Sequence, residues 1–226
     1  MPGEPIAPAA PGRPRRLRGA GSLMTVLIAA YPAIASAPMS APTASESSGQ
    51  VVLMQPPKPI DDFELTDQDA KPFKLSQLRG RTALLFFGFT HCPDVCPSTL
   101  AKLGLLMGSN DEKIRGTALV MISVDGDRDS PETMKAYLAQ VLPQGIGLTG
   151  DPRAVRRIDA QFSGVFFKGL PDRPGGAYLV QHTSQVYLID PQGRLRATFF
   201  NASIDAMRQT TAAIVNEAQA SGTRSP

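Results

Sequence analysis

Apolar positions along this chain fall into runs of two kinds. Residues 82–90 and 119–124 are almost continuously apolar, which predicts strands buried on both faces. Residues 62–66 alternate instead, as a half-buried strand does. Leu100, Leu103, Leu106 and Met107 recur at the spacing of one helix face, with Pro97 delaying the regular helix until Ser98. Residues 131–141 predict a second helix, with Ser130 as N-cap and Pro131 in its first turn. A third opens at Asp151 or Pro152 and runs towards Phe162, and residues 204–220 form a last amphipathic one. Residues 74–79 read as a short helical turn ended by Gly80. Residues 185–189 form a strand closed by the turn Asp190-Pro191-Gln192-Gly193, and residues 194–200 pair back on it. Strand–helix–strand–helix followed by a hairpin and a helix predicts an α/β sandwich, a central mixed β-sheet flanked by helices. Functional loops of such a sheet gather at the carboxyl ends of its parallel strands, where residues 90–96 fall.

Composition changes the picture at the N-terminus. Arginines at 13, 15, 16 and 18 precede the apolar run 23–31, and no charged residue follows Arg18 until Glu46. That order is the layout of a secretory signal, with small residues fitting cleavage after Ala35 or Ala37. The uncharged stretch 19–38 is also about as long as a bilayer-spanning helix requires. Residues 1–37 are therefore a signal peptide or an N-terminal membrane anchor, and either places the rest outside the cytoplasm. The protein is expected in the periplasm, soluble or tethered to the inner membrane by that segment. Residues 38–58, rich in Ser, Thr, Pro and Gly, read as a flexible linker, residues 59–220 as one domain and 221–226 as a disordered tail. Beyond residue 35, Lys and Arg number 19 of the 23 in the chain, and Asp and Glu 19 of the 20. The domain is neutral, so the basic pI near 9.0 belongs to the leader. With no basic stripe and no tryptophan, nothing points to nucleic acid.

The chemistry concentrates in Thr90-His91-Cys92-Pro93-Asp94-Val95-Cys96-Pro97. Two thiols four residues apart, where a strand gives way to a helix, lie on one face of the first helical turn. Free N–H groups and the positive dipole end there favour thiolate, which is both metal ligand and redox nucleophile. An inert disulfide across so short a loop gains little from loop closure. Of the two histidines, His91 abuts Cys92 and its side chain diverges from it. His182 precedes the strand 185–189; in a thioredoxin-like sandwich the loop entering that strand faces the cysteine turn. Two thiolates and an imidazole suit trigonal Cu(I), or Cu(II) with a weak extra ligand. Structural zinc wants four donors, and the chain offers three soft ones unless an aspartate joins. The acidic loop 125–132 fails as a calcium loop, because Ser130 and Ala136 stand where glycine and the closing glutamate belong. It reads as a solvated loop, with a docking face or an outer metal contact as the other option.

Three motifs together resemble the Sco/SenC family: residues 86–97, residues 123–132, and residues 182–193, over a stretch from about Asp61 to Asn201. The resemblance implies a thioredoxin fold with copper held by Cys92, Cys96 and His182. It also implies a role in assembling the dinuclear copper centre of cytochrome c oxidase, by delivering copper or by reducing the thiols that receive it. Partners would be the copper-receiving subunit of the oxidase, another copper chaperone, or a thiol reductant. Gly126 and Asp127 stand where the family often has Pro-Glu, and Ala70 where it has glycine.

Two functions remain open on the sequence. One is a copper metallochaperone, a binding protein rather than an enzyme. The other is a thiol-disulfide oxidoreductase using Cys92 and Cys96 as its catalytic redox pair. Reductases of this fold generally set a proline opposite their cysteines. Residues 178–189 contain none and offer His182 instead, which favours metal.

Overall fold

The computed structural model describes residues 49–171 and 177–222. Its strands are β1 (Gln50–Pro59), β2 (Glu64–Asp67), β3 (Pro72–Lys74), β4 (Ala83–Gly88), β5 (Ala118–Ser123), β6 (Ile146–Thr149), β7 (Phe166–Lys168), β8 (Val180–His182), β9 (Val186–Ile189) and β10 (Arg194–Phe200). The helices are α1 (Val95–Met107), α2 (Glu112–Arg115), α3 (Pro131–Val141), α4 (Pro152–Gln161) and α5 (Ile204–Gly222), and a 3-10 turn covers Leu75–Leu78. The proposed signal or anchor, linker residues 38–48 and tail residues 223–226 lie outside the described residues. Among the described residues no helix is long and apolar enough to cross a membrane.

The two continuous apolar runs lie at the heart of an eight-stranded sheet, ordered β1-β10-β9-β4-β5-β6-β2-β3. Every residue of β4 and of β5 is buried, and the two run parallel from Ala83 opposite Ala118 to Gly88 opposite Ser123. β6 continues the parallel set, while β9 runs antiparallel to β4 and β10 to β9. The sheet is mixed and flanked by helices, and the fold is thioredoxin-like. Side chains alternate across the sheet. Phe87 meets the rings of Phe162 and Tyr187 edge-on at 5.6 and 6.0 Å, whereas the ring of Phe86 lies on the other side.

Capping follows the sequence. Ser130 accepts the N–H of Thr133 at the start of α3, and Asp151 accepts those of Arg153 and Ala154 at the start of α4. The turn after β9 closes on Asp190, whose Oδ1 accepts from the N–H groups of Gln192 and Arg194.

Three expectations are corrected. Residues 50–58 are not linker: they belong to β1, antiparallel to β10 with Val51 opposite Phe199 and Leu53 opposite Ala197. β1 is an edge strand, and an edge tolerates proline because one row of its N–H groups needs no partner. α1 begins at Val95, not Ser98. Pro97 sits inside its first turn, where no intrahelical N–H bond is required. At the other end α5 runs to Gly222, so residues 221–222 continue the helix.

β7 and β8 form a separate two-stranded sheet. This hairpin stands apart from the main sheet and carries His182 at its end.

Candidate metal centre

β4 delivers the chain to the cysteine turn. Past Gly88, Phe89 is buried and its carbonyl accepts the N–H of Cys92 at 3.3 Å. Thr90 is pinned by Asp129, whose Oδ2 accepts its N–H at 3.0 Å and whose Oδ1 accepts its hydroxyl at 2.6 Å. One helical turn separates the cysteines, and the N–H of Cys96 points at the Cys92 sulfur, 3.4 Å away. Cys96 is 0% exposed and Cys92 partly exposed. The buried thiol needs a missing side chain beneath it. A Cβ on Gly88 would stand 3.1 Å from the Cys96 sulfur and 2.6 Å from the Phe86 ring, so glycine at the end of β4 makes room for the site.

His182 arrives from the hairpin. Phe166 pairs with His182, Phe167 with Gln181 and Lys168 with Val180. The imidazole lies edge-on to Phe89, centroids 5.7 Å apart. Its Nδ1 is 2.9 Å from the carbonyl oxygen of Thr183. A carbonyl only accepts, so Nδ1 carries the hydrogen and Nε2 keeps its lone pair. That Nε2 is 3.5 Å from the Cys96 sulfur. The donor atoms of Cys92, Cys96 and His182 all lie within 4.8 Å of one another. With bonds of about 2.0–2.3 Å to nitrogen and sulfur, one ion fits between them.

Burial sets the protonation of the site's own groups. It drives the Cys96 thiol well above its ordinary range, and the neighbouring Cys92 and Asp129 push the same way. A hydrogen bond with the Phe89 backbone pulls the other way, and burial outweighs it. The same desolvation lowers His182, partly offset by its bond to Thr183, so the ring is neutral and ready to ligate. Two sulfur anions side by side, that of Cys96 fully buried and that of Cys92 partly so, are costly without a cation between them. A soft ion of low charge answers that need with this donor set.

The other candidates sort themselves. His91 is exposed, its Nδ1 3.0 Å from the Thr90 hydroxyl and 3.7 Å from Asp129. His91, Asp125 and Asp129 also cluster within 4.8 Å, but those carboxylates are already engaged. Asp129 serves Thr90 and Ser123, and Asp125 serves Arg128 and Tyr178. Neither is spare as a fourth donor for zinc. Sequence reasoning took the acidic loop as solvated; Asp125 and Asp129 are in fact 3% and 0% exposed. It left contact between this loop and the site as the other option, and it missed Thr90 and Tyr178 as the loop's partners there. The Ser-Asp spacing between the β5 run and the α3 cap was the available signal, since acids that close to a buried strand need donors.

The fold and the site together define a thioredoxin-like protein with a two-thiol, one-imidazole cluster at the carboxyl edge of its central strands. The SCO1/SenC family model matches residues 53–218, and the chain belongs to that family. A Stutzerimonas stutzeri protein named as copper-binding is 38% identical over 151 residues, covering 65% of this chain and 71% of that one. The mitochondrial protein SCO2 of Saccharomyces cerevisiae is 38% identical over 153 residues, 67% of this chain and 48% of its own length. Among solved structures, Arabidopsis thaliana ScoI with copper bound is similar at TM-score 0.63 and 29% identity, covering 70% of this chain and 98% of that one.

Proposed function

We propose that this protein is a copper metallochaperone that holds one copper ion on Cys92, Cys96 and His182 and passes it on. The observation that carries the reading is the convergence of two thiols and a neutral imidazole nitrogen within 4.8 Å, three donors from two separate elements. Family membership and the copper-bound ScoI relative support copper over other soft ions. A three-donor site suits transfer, because a partner's ligand can attack an ion that is not fully enclosed, and Cys92 lies at the exposed side. The receiver in this reading is the dinuclear copper centre of cytochrome c oxidase, directly or through another copper chaperone, as the family resemblance implies. Export by residues 1–37, cleaved or retained as an anchor, brings the domain to the periplasmic face where that work is done.

Titration of the reduced protein with copper, followed by absorption, tests the site. The reading expects one equivalent bound, with retention against a chelator weakened at least tenfold in His182→Ala and abolished in Cys96→Ser. Unchanged retention in His182→Ala overturns the three-donor site. The oxidoreductase reading expects disulfide reduction that survives His182→Ala and fails in Cys92→Ser. The partial exposure of Cys92 is the observation in its favour.

A further inference from the structure

The β7–β8 hairpin poses a mechanical problem. It carries His182, yet it is not hydrogen-bonded into the main sheet, and an isolated two-stranded hairpin is marginal by itself. Its base is tied where the Thr183 N–H reaches the carbonyl of Val165, and Phe166 and Val180 are buried. Arg156 of α4 holds β7, donating Nη1 to the Phe166 carbonyl at 2.6 Å with its guanidinium carbon 4.4 Å over the Phe166 ring. A second anchor, on the β8 side, comes from the loop between β5 and α3, which the metal reading leaves unused.

That loop is rigidly seated. Ser123 donates its hydroxyl to Asp129 at 2.6 Å and accepts the N–H of Asp125 at 3.0 Å. Thr149 on β6 donates to the carbonyl of Asp129 at 2.6 Å, and the N–H groups of Arg128 and Asp129 turn back to the carbonyl of Asp125. From this base the loop reaches both halves of the site. On one side Asp129 holds Thr90, two residues before Cys92. On the other, Asp125 accepts the Tyr178 hydroxyl at 2.7 Å and the Arg128 Nε at 2.5 Å. Arg128 then donates Nη1 to the Tyr178 carbonyl at 3.1 Å, with its guanidinium carbon 3.7 Å above the Tyr178 ring. Tyr178 leads directly into β8. The other strand is held as well: Lys168 of β7 pairs with Asp127 at 2.6 Å and lies 4.1 Å over the same tyrosine ring. Arg128 also stands 6.0 Å over the Phe89 ring, against which His182 packs.

We propose that the loop of residues 125–129 is a brace that fixes the spacing between the cysteine turn and His182, with Asp125, Arg128 and Tyr178 as positioning residues for the imidazole. None of the three is a ligand. The Asp125–Arg128–Tyr178 group is almost wholly desolvated on its acidic side, where charge-assisted hydrogen bonds are strongest and most directional. The fork of Arg128 binds a carboxylate and a backbone carbonyl together, which a lysine cannot reproduce. The brace rests on the copper reading for its consequence, but its mechanical part stands apart from copper.

Tyr178→Phe is the discriminating variant, since it keeps the ring under Arg128 and deletes only the hydroxyl, with its bond to Asp125 and its contact with Lys168. Two measurements on the full chain decide the matter. In the copper-free, reduced protein, amide hydrogen exchange of residues 180–183 is expected to speed up roughly tenfold, with β4 and β5 unchanged. In the copper-loaded protein, release to a Cu(I) chelator is expected to speed up by a similar factor. In a His182→Ala background, adding Tyr178→Phe is expected to change release no further. Hairpin exchange as slow as in the wild type overturns the brace. So does an equal acceleration of release in the His182→Ala background, because the hydroxyl would then act elsewhere than through the imidazole. Should His182→Ala alone leave copper retention unchanged, the three-donor reading fails and the exchange measurement by itself decides the brace.

Discussion

Asp159 on α4 is 1% exposed, and among the described residues both its carboxylate oxygens lack a hydrogen-bond partner. Gly164 folds over it so closely that a Cβ there would overlap Oδ1. Burial lifts this carboxyl to about 6, with the Arg156 guanidinium pulling weakly the other way. The folded state thus holds this proton more tightly than the unfolded chain. Its stabilising effect is complete below pH ~4 and is lost as pH rises through about 6. Asp159→Asn is therefore expected to stabilise the protein at pH 7.5 by about 1–3 kcal/mol, an advantage that shrinks towards pH 4. Urea denaturation at both pH values checks it, and a gain independent of pH would contradict it. Ala70 offers a smaller test. It holds φ +58 in the turn between β2 and β3, where a Cβ is unfavourable, so Ala70→Gly should stabilise by about 0.5–1 kcal/mol in the same assay. At this scale the cysteine pair was legible in the sequence because its geometry is local, set by one helical turn. Asp125 and Asp129 were not, since their burial comes from Tyr178 and Thr90, partners 53 and 39 residues distant.

At the scale of elements, legibility followed burial on both faces. β4 and β5 announce themselves as unbroken apolar runs, and α3 and α4 by their caps. The strands that escaped reading are short or peripheral. β6 lies between glycines, β7 and β8 span three residues each, and β1 carries three prolines within ten residues. What makes β1 a strand is the open edge of β10, a tertiary partner no local pattern encodes. Its removal has a definite consequence. A chain lacking residues 49–58 should unfold at lower temperature and self-associate, because β10 would present a bare edge. Thermal unfolding and light scattering measure both, and a truncated chain matching the full one would show β1 to be dispensable.

For the whole molecule, a central parallel pair sets the cysteine turn at its carboxyl edge and a detached hairpin brings the imidazole to meet it. His182 lies 86 residues from Cys96, and its place in the sequence reading rested on topology and family resemblance rather than on spacing. The structure adds what neither supplied: the protonated Nδ1 held by Thr183, the room made by Gly88, and the acidic loop spanning both halves. The central claim is that one copper ion sits among these three donors. X-ray absorption of the copper-loaded, reduced protein tests it most directly. A first shell of two sulfurs and one nitrogen is expected, with the nitrogen lost in His182→Ala. A shell without that nitrogen in the wild type, or one that His182→Ala leaves unaltered, would contradict it.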